Sequence, residues 1–89
     1  MGVAMEEKLE KVGEVSDYYS KIGVAIVKLT ATISVGDKIL IRGSTTSLRQ
    51  TVNSIQIEHK NVTKAGAGQS IGLKVDDRVR EGDTVYKSQ

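Results

Sequence analysis

Cysteine, proline, phenylalanine and tryptophan are all absent from this 89-residue chain. Without cysteine there is no disulfide and no thiolate metal site, and a reducing compartment fits that absence. Only three aromatic side chains remain, Tyr18, Tyr19 and Tyr86, so a base-stacking platform would be thin. His59 is the only histidine. A transition-metal site would have to surround that one imidazole with carboxylates, and no ligand-spaced cluster does so. No apolar run approaches bilayer length, and charges arrive in Met1-Gly2-Val3-Ala4-Met5-Glu6 before any signal-peptide core forms. Glu6 stands where a myristoylation signal wants Ser or Thr. These absences predict a cytoplasmic protein with no membrane partner, no cofactor and no metal.

What is present is aliphatic. Hydrophobic residues make up 38% of the chain and are mostly Val, Ile and Leu. A β-branched core favours sheet. A domain of this length buries only about 60% of its unfolded surface, which leaves little room for a deep active site. The formal charge of +2 is unevenly spread. Residues 1–17 hold Glu6, Glu7, Glu10, Glu14 and Asp17 against Lys8 and Lys11, and the remainder holds 11 basic and 6 acidic residues. Residues 1–9 read as a flexible acidic leader, although Met5, Leu9 and Val12 also fall at helical spacing; residues 10–89 read as the folded domain.

Periodicity predicts six strands: 11–19, 21–29, 38–42, 49–59, 69–75 and 84–87. Gly13 reads as a bulge in the first. The fourth changes apolar parity between Val52 and Ile55, and a bulge is the simplest switch of face. Val24, Ile26, Ile39, Ile41, Ile55, Ile57, Ile71, Leu73 and Val85 are expected to face the core. A turn element recurs: Val35-Gly36-Asp37-Lys38-Ile39 and Glu81-Gly82-Asp83-Thr84-Val85 share Gly-Asp-x-apolar, and Ala67-Gly68-Gln69-Ser70-Ile71 is a looser copy. Glycine supplies positive φ at the turn, and the Asp carboxylate can accept a backbone N–H as the next strand starts. Short strands separated by Gly-rich turns predict an all-β fold, a small closed antiparallel barrel of about six strands.

Taken in order, these motifs resemble domain 2 of translation elongation factors, of the elongation factor Tu type. Val35–Ile39 with Gly43 resembles that family's strand opening and the glycine after the strand. Val52–Ile57 with His59-Lys60, Ala65–Leu73 and Val79–Val85 resemble its later segments. Ser54–Lys60 is also similar to the C-terminal barrel of a collagenase-like peptidase family linked to RNA modification. The resemblance spans roughly residues 11–87 and implies a fold and a leaning towards RNA or ribosome-associated partners. It implies no GTP binding, because no G-x-x-x-x-G-K-[ST] loop and no Gly-Lys pair occur.

No Gly-x-Ser-x-Gly elbow occurs either, and the chain is not expected to be an enzyme. His59 reads as a partly packed residue closing the fourth strand in line with Ile55 and Ile57. Gly66-Ala67-Gly68 reads as a plain turn in preference to a phosphate cradle. Arg42, Arg49, His59, Lys60 and Lys64 fall at the ends of the third and fourth strands, where they either solubilise the surface or contact nucleic-acid phosphates. Two functional classes stay open: a binding module for RNA or a translation-related partner, and a protein–protein interaction or self-association domain docking onto a separate enzyme, with an exposed sheet edge for self-association.

Overall fold

A computed structural model describes residues 8–88. Ten strands account for the regular structure, and no helix occurs among the described residues. They are β1 (Leu9–Tyr19), β2 (Val24–Leu29), β3 (Ile33–Ser34), β4 (Lys38–Arg42), β5 (Ser47–Thr51), β6 (Ile55–Ile57), β7 (Lys60–Val62), β8 (Lys64–Ala65), β9 (Ser70–Lys74) and β10 (Thr84–Ser88). Eight of them form one antiparallel sheet in the order β5-β4-β10-β1-β2-β9-β6-β7, and β3 pairs with β8 in a small second sheet. The expected leader falls outside the described residues over 1–7, and Leu9 already pairs with Ser88.

The long strand β1 organises the sheet. Its first half pairs with β10 and its second half with β2, and Gly13 is shared, facing Val85 on one side and Leu29 on the other. Register shifts lie between Lys11 and Gly13 and between Val15 and Asp17. The first of them is the bulge that Gly13 signals. Val12, Val15, Val27, Leu29, Ile39, Ile41, Ile55, Ile71, Leu73 and Val85 join one buried cluster, so the sheet curls around a single aliphatic core.

The expectation of a closed six-stranded barrel is corrected. β5 and β7 are the two edges of the eight-stranded sheet, and no strand pair among the described residues joins them. Turn and side-chain hydrogen bonds tie the free ends instead. Val52 N donates to Asp37 O at 2.8 Å, Gly36 N to Val52 O at 2.9 Å, and Val35 N to Thr63 O at 2.9 Å. The buried Gln50 of β5 reaches across to the chain after β9. Its Nε2 donates to Lys74 O at 2.8 Å and its Oε1 accepts from Asp76 N at 2.7 Å. One carboxamide thus serves both backbone groups flanking Val75, as a neighbouring strand would.

The recurrent turn is built three times with one set of bonds. Asp37 N donates to Ser34 O and Ser34 N donates back to Asp37 Oδ2 at 2.8 Å. Asp83 N donates to Arg80 O while Arg80 N donates to Asp83 Oδ2, also at 2.8 Å. In the loose copy Gln69 takes the Asp role, accepting from Gly66 N at 2.7 Å through Oε1. Gly36, Gly82 and Gly68 sit at φ 97°, 93° and 89°, the region only glycine enters without strain.

Two expectations fail locally. The strand expected over 49–59 is two strands at opposite ends of the sheet, β5 beside β4 and β6 beside β9. The parity change between Val52 and Ile55 marks this break and not a bulge. On β2 the buried residues are Ala25, Val27 and Leu29, so Val24 and Ile26 point outward and are only half-buried. Both faces of β2 are apolar, so alternation could not choose between them. Ile57, also expected in the core, is half-buried and packs against its edge.

Candidate docking groove

The outward Val24 and Ile26 lie on a face that the fold leaves uncovered. Antiparallel register sets Val24 opposite Lys74, Ile26 opposite Gly72 and Lys28 opposite Ser70. On the other side of β9, Gly72 faces Gln56 of β6. The outward row therefore runs Ile26, Gly72, Gln56, and the missing side chain at Gly72 leaves a slot between two walls. Two adjoining depressions of about 260 and 290 Å³ share Ile22, Val24, Gln56 and Gly72. Together they form a groove along β9, bordered towards one end by Glu58 and His59 and towards the other by Lys74.

Gly72 is not required by the backbone. Its φ lies outside the left-handed region, and a Cβ there would meet Val24 Cγ1 at 3.5 Å and Gln56 Cβ at 3.8 Å, ordinary contact distances. The slot is thus a property of the surface and not of the fold. At one end the β1–β2 turn presents Tyr19 and Ile22, which are 49% and 57% exposed. That turn is held by Gly23 N donating to Tyr19 O at 2.9 Å and by Lys74 Nζ donating to Ile22 O at 2.7 Å. At the other end a two-residue turn joins β6 to β7, with Ile57 opposite Lys60. Glu58 and His59 have φ values of 51° and 67°. Both being positive is the pattern of a type I′ hairpin turn, normally filled by Asn-Gly.

The structure brings two of the five basic candidates together: Arg49 of β5 stands opposite Leu40, on the same face of the β4–β5 pair as Lys38 and Arg42. His59 instead borders the groove. Lys60 opens β7, and Lys64 lies in β8 opposite Ser34. His59 is an exposed turn residue and not the end of a strand packed in line with Ile57. No group of three or more His, Asp and Glu side chains lies together among the described residues. No helix among them is long and apolar enough to cross a membrane. The groove residues Tyr19, Ile22, Val24, Ile26, Gln56, Glu58, Gly72 and Lys74 escaped the sequence reading. Their one signal was the run Val24-Ala25-Ile26-Val27, apolar at every position where a strand with one wet face would alternate.

No family model matches the chain. Among curated proteins it is 41% identical, over 96% of its length, to part of an uncharacterized protease of Methanocaldococcus jannaschii. It is 37% identical over 85% of its length to a collagenase of Porphyromonas gingivalis. The chain spans only about a fifth of the length of these relatives, 21% and 22% respectively. Among solved structures it superposes with a TM-score of 0.84, at 22% identity, on the C-terminal domain of a candidate U32 peptidase from Geobacillus thermoleovorans. That match covers 90% of this chain and 93% of the other. The selenomethionine form of the same domain gives a TM-score of 0.81. The chain therefore has the fold of that C-terminal domain. Of the two resemblances drawn from the motifs, these matches support the peptidase one.

Proposed function

We propose that this chain is a non-catalytic docking module that works beside a collagenase-like peptidase body. The observation that carries the reading is coverage: almost the whole chain aligns with about a fifth of a protease. The aligned portion is one sheet around one aliphatic core, and the groove on its outer face holds neither a metal-type cluster nor an enclosed pocket. A module of this kind offers surface, and here the surface is an apolar slot ringed by polar ends. Apolar centre and polar rim is the usual anatomy of a protein interface. The absence of cysteine suits a reducing, cytoplasmic setting.

Affinity purification of the tagged chain from its native cells, with and without ribonuclease, tests this reading. A collagenase-like peptidase should be enriched, and ribonuclease should leave it in place. Capture that collapses with ribonuclease, or that contains no such peptidase, would replace this reading with the RNA-binding one or with another partner.

A further inference from the structure

We infer that the groove over Gly72 is a binding site for a short extended peptide segment with apolar side chains at its centre, a base near one end and an acid near the other. This rests on the docking reading above and assigns the segment to the peptidase body. The floor is β9, whose outward positions Ser70 and Gly72 are the smallest in the row. The walls are Val24 and Ile26 on one side and Gln56 on the other. A strand of five residues is ~16 Å long at about 3.3 Å per residue, so the groove suits a segment of about that length.

The ends of the groove choose the charge of the occupant. Glu58 borders one end and Lys74 the other, and both are exposed. Lys74 spends one N–H on Ile22 O, and the ammonium group carries further donors for a carboxylate. The backbone at Glu58 and His59 is held at positive φ by the hairpin turn, which fixes the Glu58 carboxylate at that end of the groove. A second copy of this chain is a poor occupant, since a stable dimer hides about 800 Å² per partner and the groove presents only a few apolar side chains.

The test uses the full chain, isotopically labelled, and two synthetic hexapeptides, each with lysine first and aspartate last. One has Ser-Val-Leu-Ser between them and the other has four serines. The first peptide should shift the amides of Val24, Ile26, Gln56 and Gly72 and bind at least about tenfold more tightly than the second, a gap of ~1.4 kcal/mol. Gly72→Val should abolish those shifts while keeping the spectrum of the folded protein. Gly72→Ala, which adds only the tolerated Cβ, should weaken binding in proportion. Glu58→Lys should turn the preference towards a peptide with acids at both ends. Absence of shifts in this face, or equal binding by Gly72→Val, overturns the site. Calorimetry with the captured peptidase body separates the two levels. A body that binds Gly72→Val like wild type leaves the docking reading intact and removes the groove. Peptide binding without a body complex keeps the groove and overturns its assignment to the peptidase.

Discussion

Single residues in this chain divide by whether the fold needs them. Gly13 and Gly72 are both strand glycines, and their surroundings give opposite expectations. A Cβ at Gly13 would stand 2.8 Å from both Lys28 O and Val27 Cγ1, and the carbonyl belongs to the paired strand backbone. Gly13→Ala should therefore destabilise by about 1–3 kcal/mol, the usual cost of overpacking. At Gly72 the same Cβ finds only ordinary contacts. Gly72→Ala should stabilise by about 0.5–1 kcal/mol, because a strand glycine gives up more backbone entropy than alanine on folding. Paired urea titrations check both signs, and a stabilised Gly13→Ala would show that β2 gives way around Gly13. The capping residues are more uniform. Asp83 is buried and holds Arg80 N, so Asp83→Ala should cost about 1–3 kcal/mol through the orphaned donor. Asp37→Ala, at a less buried turn, should cost less by the same measurement.

Elements were legible where one face is wet or where charges bracket a short apolar run. β9 and β10 are readable to within a residue at each end because Ile71, Leu73 and Val85 alternate with polar or small neighbours, and β4 to the residue because Lys38 and Arg42 bracket the buried Ile39-Leu40-Ile41. On β2 the outward Val24 and Ile26 hid the true parity, and those same residues line the groove. The feature that defeated the pattern is thus the candidate site itself. The strand expected over 49–59 fuses β5 with β6 and runs on through Glu58-His59, and β7 is missed, because Glu58-His59 carries none of the usual turn chemistry. That makes the hairpin testable: Glu58→Asn with His59→Gly should raise stability by about 1–2 kcal/mol, since Asn and Gly adopt the positive φ of this turn at less cost than Glu and His. Thermal unfolding with no gain in midpoint would mean the turn relaxes elsewhere. Gln50 is the opposite kind of junction. No local pattern marks a glutamine that stands in for a strand, yet Gln50→Ala strips Lys74 O and Asp76 N of their partner at once. Gln50 itself is buried while Lys74 and Asp76 are exposed, so the loss should be about 1–3 kcal/mol in all, read from urea titration.

At the scale of the whole molecule, the question is which face meets a partner, and salt separates the two classes of answer. The basic residues Arg42 and Arg49 share a face of β4 and β5 while His59 lies in the β6–β7 turn, whereas the apolar groove runs over β2, β9 and β6. If a peptidase body docks on the groove, burial of Val24, Ile26 and the slot at Gly72 supplies the centre of the interface. Such association carries a negative heat-capacity change. Its salt dependence should be shallow, because only the Glu58 and Lys74 ends of the groove are charged and exposed pairs there are screened and weak. RNA held by four phosphate contacts from Arg42, Arg49, Lys60 and Lys64 would behave differently. Each contact contributes about 0.7 to the log–log slope for a single strand, so four give a slope of roughly −3. Calorimetric titration of the captured partner at several salt concentrations and temperatures therefore distinguishes the faces before any complex is seen. The expected result is a heat-capacity change that is clearly negative and a slope shallower than about −1, less than two phosphate contacts would produce. Arg49→Ala with Lys60→Ala should leave that binding unchanged and Gly72→Val should remove it. The reverse pattern, a steep slope lost with the two cations and indifferent to Gly72, would move the function from the groove to the basic residues.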